Sequence, residues 1–153
     1  LRMIGLFPDE YMLKFILDNV KLEFFSVNRP IQKEILKESS FVQFEDSQLK
    51  ILDLQSIAKL KIVALLERDK SRDLFDFGTI LDKKILTIKE IVDISNKTKS
   101  IDTLEGLCNF INNKKEPQDD ETVYLNENET VNLTFDEIKN SVIHSMNLLI
   151  NSD

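Results

Sequence analysis

The sequence has little of several residue types on which common functional sites depend. It contains one cysteine, Cys108, and one histidine. An internal disulfide and a thiolate metal cluster are therefore excluded. No apolar run approaches the roughly 18 residues of a membrane span, and no signal peptide is recognisable. These absences predict a protein of the reducing cytoplasm that makes no use of a membrane.

The composition otherwise suits a folded chain. Of the 153 residues, 42% are hydrophobic and 31% are charged, which is enough apolar material for a core. The length predicts one domain, or one domain with a small appendage. The net charge of -7 argues against nonspecific binding to nucleic acid or anionic lipid. A local basic site could still hold a phosphate.

The first third of the chain predicts strands. Residues 11–26 form two apolar-rich runs around Asp18-Asn19, a dipeptide suited to a tight hairpin. In the second run, alternation places Glu23 on the face opposite Leu22 and Phe24. Residues 31–39 predict a short helix. Residues 41–52 predict a second pair of strands.

The rest of the chain predicts helices, each with a recognisable start. The predicted N-terminal signals are Asp53, Ser71, Thr87 with Glu90, Ser100 or Asp102, and Thr134 with Glu137. The polar segment between the last two helices predicts either a weak hairpin or a mobile loop. Strands followed by helices indicate an α+β fold, with a division into 1–82 and a helical bundle at 83–153. We expect the bundle core to contain Ile88, Ile91, Leu104, Phe110, Ile138, Val142 and Met146.

The predicted helix from Asp53 to Arg68 contains a lysine on its apolar face. Its apolar stripe consists of Leu54, Ile57, Ala58, Ala64 and Leu65. Lys61 falls within this stripe, whereas Lys59 points nearly the opposite way. We therefore expect Lys61 to face inward and Lys59 to lie at the surface. Such a lysine either snorkels or pairs with an acid such as Asp73 or Asp76, or it is directed at a bound anion.

Residues 56–77 resemble the C-terminal motif of the AbiEii-type nucleotidyltransferases, the toxin half of a bacterial toxin–antitoxin and abortive-infection system. That motif has a helix with a lysine, an Ala-Leu-Leu-like stretch, an arginine, and then Arg-Asp-Leu-x-Asp. The matching residues here are Lys61, Ala64, Leu65, Leu66, Arg68, Arg72, Asp73, Leu74 and Asp76. The segment 17–25 is similar to the strand that carries the third catalytic carboxylate, and Glu23 holds that position. The resemblance covers about Met12 to Leu81.

The resemblance implies a nucleotidyltransferase-like mixed sheet and transfer of a nucleoside monophosphate from a nucleoside triphosphate to an RNA, such as the 3′ end of tRNA, or to a protein. It implies catalytic roles for Glu23, Lys61 and Asp76. Nucleotide binding would fall to Lys61, Arg68, Arg72 and Asp73. Glu23 would be the metal ligand in this chain, with Mg²⁺ expected for a complete enzyme. An antitoxin protein would be the partner.

Two features of the resembling family are absent from this sequence. The glycine-rich turn is missing, since the glycines are Gly5, Gly78 and Gly106, and no Asp-x-Asp pair precedes Glu23. One carboxylate cannot hold the two magnesium ions of this chemistry. Because the chain also begins with Leu1 and not methionine, we expect a fragment or a chain that has lost its start.

Two functions follow from these departures. The first is an incomplete nucleotidyltransferase that transfers no nucleotide alone but keeps weak, salt-sensitive affinity for nucleoside triphosphate. The alternative is a noncatalytic truncated paralogue that acts as a protein-binding module. In that case the C-terminal helices would bind a partner such as an antitoxin.

Overall fold

The computed structural model describes residues 4–9, 12–17, 20–118, 124–126 and 129–151. Within them, the first element is an antiparallel sheet of three strands. These are β1 (Ile4–Asp9), β2 (Met12–Leu17) and β3 (Val20–Phe25), in the order β1-β2-β3. β2 and β3 pair from Met12 opposite Phe25 to Leu17 opposite Val20, which confirms the predicted pair of strands. The predicted turn residues, Asp18 and Asn19, lie outside the described part. β1 was not predicted.

Two further strand pairs are short local hairpins. Helix α1 (Pro30–Glu38) separates the first sheet from β4 (Phe41–Gln43) and β5 (Lys50–Leu52), as predicted. The pair β6 (Tyr124–Asn126) and β7 (Glu129–Val131) confirms the weak hairpin in the polar segment. All described strand pairs are antiparallel, whereas the resemblance implies a mixed sheet. The reason is that each pair joins strands that are neighbours in the sequence.

Five helices follow β5 in the described part of the chain. They are α2 (Leu54–Glu67), α3 (Ser71–Asp82), α4 (Ile88–Lys99), α5 (Leu104–Asn112) and α6 (Phe135–Ile150). Asp53 caps α2 by accepting from the Ser56 N–H at 2.8 Å. Both predicted capping boxes, at Thr87 and at Thr134, are present.

Two predicted caps are wrong. Ser71 is the first residue of α3, not its cap; the N-cap is Lys70, whose side chain makes no capping hydrogen bond. α5 is capped by Thr103, whose hydroxyl accepts from the Gly106 N–H at 3.0 Å, and not by Ser100 or Asp102. The reason is that α4 runs to Lys99 and ends at Ser100 in the left-handed conformation, with φ of 57°.

The core joins the helices on both sides of the predicted boundary at residue 83. α2 packs against α3 and α4, α3 packs against α6, and α5 packs against α6. One cluster of buried side chains runs from Ile35 to Met146. Five of the seven predicted bundle-core residues are buried, namely Ile91, Leu104, Ile138, Val142 and Met146. Ile88 and Phe110 are partly buried against the cluster. The α+β class is confirmed, and the division into two units stays a prediction.

Candidate functional site

Helix α2 is buried over a wide arc and not along the predicted stripe. Its buried residues are Ser56, Ala58, Ile62, Val63, Leu65 and Leu66. Leu54 and Ile57, which the stripe predicts to be inside, are exposed. The cause is that α2 is covered by both α3 and α4, so adjacent residues such as Ile62 and Val63 are buried together. Lys61 then lies on the flank of this arc.

The orientation predicted for Lys61 is wrong. Its side chain is 40% exposed, and its ammonium lies 2.7 Å from Asp76 Oδ2, on a carboxylate that is 35% exposed. The Lys59 side chain is only 27% exposed and lies 3.5 Å from Glu90 Oε1. The alternative of a salt bridge between Lys61 and Asp76 is confirmed. This pair can be reached by solvent and therefore by a small anion.

The Glu90 carboxylate beside Lys59 belongs to the capping box of α4. Its pKa is lowered first by the hydrogen bond from the Thr87 backbone N–H and then by that from the Thr87 hydroxyl. Lys59 lowers the pKa of Glu90 further by its positive charge, after these two bonds. Lys59 therefore supports the start of α4.

In the second ion pair of the motif, Arg68–Asp73, the carboxylate is buried. Arg68 donates through Nε to Asp73 Oδ2 at 2.7 Å and through Nη2 to Asp73 Oδ1 at 2.9 Å. The Asp73 side chain is fully buried, in the first turn of α3, where the helix dipole favours negative charge. Both carboxylate oxygens are therefore engaged inside the protein. This parallel two-bond geometry is the strongest form of the arginine–carboxylate pair.

Both ion pairs link α3 to α2 or to the C-cap of α2. Lys61 and Arg68 are seven positions apart, about two helical turns, while Asp73 and Asp76 are three apart on α3. We call α2, residues 68–70 and α3 the motif hairpin. Its inner pair, Arg68–Asp73, joins the first residue of the connection to the first turn of α3, and its outer pair, Lys61–Asp76, lies further along both helices. The fold therefore pairs four charged residues of the motif, Lys61 with Asp76 and Arg68 with Asp73.

The remaining two predicted site residues are exposed. Arg72 is the second residue of α3. The sequence allows it to pair with Asp76, but the Asp76 carboxylate is held by Lys61 instead. Glu23 lies on β3, as predicted, with its backbone opposite Lys14. Its roles as a catalytic residue and as a metal ligand stay predictions.

The donor set of the described residues does not fit a magnesium pair. Within these residues, no group of three or more His, Cys, Asp or Glu side chains could hold a metal ion. Asp73 is engaged by Arg68, and Asp76 by Lys61. Two hexacoordinate magnesium ions require several carboxylate oxygens that face a shared space.

Sequence reasoning missed a buried lysine beside the motif hairpin. Lys114 follows α5, its side chain is 7% exposed, and its ammonium lies 2.7 Å from Asp69 Oδ1. The same ammonium donates to the Arg68 carbonyl at 3.1 Å. No sequence signal identifies this contact, because Lys114 stands in a polar run, Asn112 to Glu116, typical of a solvated loop.

Comparison with known protein families defines the class to which this fold and motif belong. The chain matches a family of nucleotidyl transferases over residues 7–139, which is 133 of its 153 residues. The family is described as "Nucleotidyl transferase AbiEii toxin, Type IV TA system". The chain belongs to this AbiEii toxin family, as its motif indicates.

The other comparisons add no relative. No curated protein and no solved structure matches the chain. In the part of the chain that the structure describes, no helix combines the length and the apolar character needed to cross a membrane.

Proposed function

We propose that this chain provides the triphosphate-binding part of an AbiEii nucleotidyltransferase toxin of the cytoplasm. The complete enzyme would move a nucleoside monophosphate from a nucleoside triphosphate to an RNA acceptor, such as the 3′ end of tRNA, or to a protein. The observation that carries the proposal is the partly exposed Lys61–Asp76 pair on the motif hairpin. Family membership over residues 7–139 supports the reaction class.

The different burial of the two ion pairs separates their proposed roles. Both partners of the outer pair are accessible, so a phosphate can replace Asp76 at the Lys61 ammonium. Arg72 adds a second exposed cation on the helix that carries Asp76. A compact ammonium and a forked guanidinium are complementary ligands for phosphate oxygens. We assign Lys61 and Arg72 to phosphate binding, and Asp76 to holding Lys61 when phosphate is absent.

Arg68 and Asp73 have a supporting role in this proposal. Their two hydrogen bonds leave no carboxylate oxygen of Asp73 open to a ligand. Holding the motif hairpin together would position Lys61 and Arg72 without touching the nucleotide. This differs from the resemblance, which assigns Arg68 and Asp73 to nucleotide binding.

Transfer by this chain alone is not expected. The sequence lacks the Asp-x-Asp pair, and the described acidic residues do not fit two magnesium ions. Losing transition-state charge stabilisation of several kcal/mol slows a reaction by orders of magnitude, since about 1.4 kcal/mol is tenfold. Glu23 alone therefore has no assigned catalytic step in this chain.

The test incubates each protein with labelled nucleoside triphosphates, magnesium and a tRNA pool. It measures the binding of triphosphate and the transfer of label. We expect wild-type protein to bind triphosphate in a salt-sensitive way without transferring label. Lys61→Ala should weaken binding about tenfold, the equivalent of one charge-assisted contact. Lys59→Ala is the matched control, because it removes an equal charge two residues away, and it should bind like wild type. Robust label transfer by the unmodified chain would refute the proposal that it lacks part of the catalytic site.

A noncatalytic protein-binding module is the second candidate. Two observations favour it: the ammonium of Lys61 and the guanidinium of Arg68 already have carboxylate partners, and the β4–β5 hairpin exposes one apolar face. The side chains of that face are Val42, Phe44, Leu49 and Ile51. Equal triphosphate binding by wild type and Lys61→Ala would favour this candidate, with an antitoxin protein as the proposed partner.

A further inference from the structure

Lys114 connects the helices after the motif to the motif itself. It lies 45 residues beyond Asp69, yet its ammonium contacts the Asp69 carboxylate and the Arg68 carbonyl. The ammonium also lies 5.1 Å from the centre of the Phe110 ring. Only 7% of the Lys114 side chain is exposed, so its ammonium depends on these partners inside the protein. A buried ammonium requires such partners, because burying an unpaired charge is costly.

The Arg68 carbonyl needs a donor from outside its helix. Arg68 is the C-cap of α2, with an extended backbone at φ of −139° and ψ of 161°. The last carbonyls of a helix have no partner within it, and side chains of Lys or Arg commonly supply one. Lys114 does so from a distant part of the chain. It thereby holds the position at which α2 ends.

The backbone of Lys114 is held in turn by α6. Lys139 donates to the Lys114 carbonyl at 3.3 Å, and its ammonium lies 3.7 Å from Asp136. Its ammonium also lies 5.2 Å from the centre of the Phe135 ring. The contact made by Lys114 therefore starts from a backbone fixed by α6, which itself packs on α3.

We propose that Lys114 is a positioning residue for the phosphate site of the motif hairpin. The connection between α2 and α3 consists of residues 68–70, and Lys114 contacts two of these three residues. The direction of this connection determines where α3 begins. It therefore also determines the position of Arg72 relative to Lys61. This inference rests on the proposed triphosphate binding, since positioning matters only if Lys61 and Arg72 act on one ligand.

The experiment compares Lys114→Met, Lys114→Arg and the neighbouring control Lys115→Met, each in the full chain. Methionine keeps the length of the stem but removes the charge and its donors. Arginine keeps the charge and the donors. Lys115 is exposed and therefore serves as the control position. The probe is inorganic triphosphate, which isolates phosphate binding from base recognition. A second measurement follows hydrogen exchange at the Arg68 Nε–H by nuclear magnetic resonance, and melting temperatures are recorded beside both.

We expect Lys114→Met to weaken triphosphate binding about three- to tenfold, up to the equivalent of one lost charge-assisted contact. It should also raise the Arg68 Nε–H exchange rate about tenfold, because the bond to Asp73 opens more often. Lys114→Arg keeps a cationic donor and should restore both to within about twofold of wild type, and Lys115→Met should change neither. A lower melting temperature with unchanged binding and exchange would overturn the proposal, leaving Lys114 merely structural.

Two further outcomes are distinguishable. If wild type does not bind triphosphate while Lys114→Met still raises the exchange rate, the proposed function fails, and the positioning of the Arg68 side chain is supported. If Lys114→Met does not fold, Asp69→Asn replaces it, because the Asp69 side chain is 67% exposed and substitutions at exposed positions usually cost little stability. Like Lys114→Met, Asp69→Asn should then weaken triphosphate binding and raise the exchange rate of the Arg68 Nε–H. No shift in either would overturn the proposal.

Discussion

Replacing Arg68 by methionine should destabilise the protein far more than replacing Lys61. Arg68→Met leaves the fully buried Asp73 carboxylate without its two donors at 2.7 and 2.9 Å. Removing one partner of a buried pair costs about 3–5 kcal/mol. We take the low end, about 3 kcal/mol, because the Arg68 side chain is itself partly exposed and solvent screens its charge. Lys61→Met breaks a pair that is partly exposed on both sides, worth about 0.5 kcal/mol.

Thermal unfolding followed by far-ultraviolet circular dichroism measures the difference. For a chain of this size, each kcal/mol lowers Tm by about 2–4 °C, so Arg68→Met should lower Tm by about 6–12 °C. Lys61→Met should lower Tm by only about 1–2 °C. The double variant Arg68→Met with Asp73→Asn should recover part of the loss, because it removes the unpaired charge. Equal losses for Arg68→Met and Lys61→Met would refute the distinction between a supporting pair and an accessible pair.

Two further predictions concern the rest of the chain. Thr87→Ala should cost about 1 kcal/mol, or about 2–4 °C in Tm. Because the folded pKa of Glu90 is lowered from 4.5, the stability it contributes is present above about pH 4.5 and is lost as the pH falls through the folded pKa. Thr87→Ala should therefore flatten the acid side of the stability profile, and an unchanged slope in acid titrations would contradict this. Leu49→Ser, on the exposed face of the β4–β5 hairpin, should change unfolding stability by less than about 0.5 kcal/mol in denaturant titrations. A larger loss would mean that this face is covered.

The helices and hairpins could be predicted where a local rule determines them. Asp53, Thr87 and Thr134 begin helices because their side chains satisfy a nearby backbone N–H, which depends only on sequence neighbours. The same rule misplaced the start of α5. Thr103 became the cap because α4 ended at Ser100, and where a helix ends depends on tertiary packing.

The candidate site was harder to predict, because its geometry depends on which helices cover which faces. The spacing of Lys61, Arg68, Asp73 and Asp76 identified the residues of the motif, and the family match agrees. Periodicity could not show that α2 is covered on two sides, so it placed Lys61 inside and Leu54 in the core. The contact between Lys114 and Asp69 spans 45 residues and leaves no local pattern.

The packing of α6 on α3 has a consequence for the order of events during protein synthesis. α3 ends at Asp82 and α6 ends at Ile150, so 68 residues separate the two ends along the chain. At about 5–20 residues per second, a ribosome needs roughly 3–14 s to cover that distance. Throughout this interval no helix covers the face of α3 around Gly78, where a side-chain Cβ would lie 3.3 Å from Val142 Cγ2 in the folded protein. The motif hairpin is thus among the earlier helical parts to leave the ribosome, but its packing is completed only after α6 has followed.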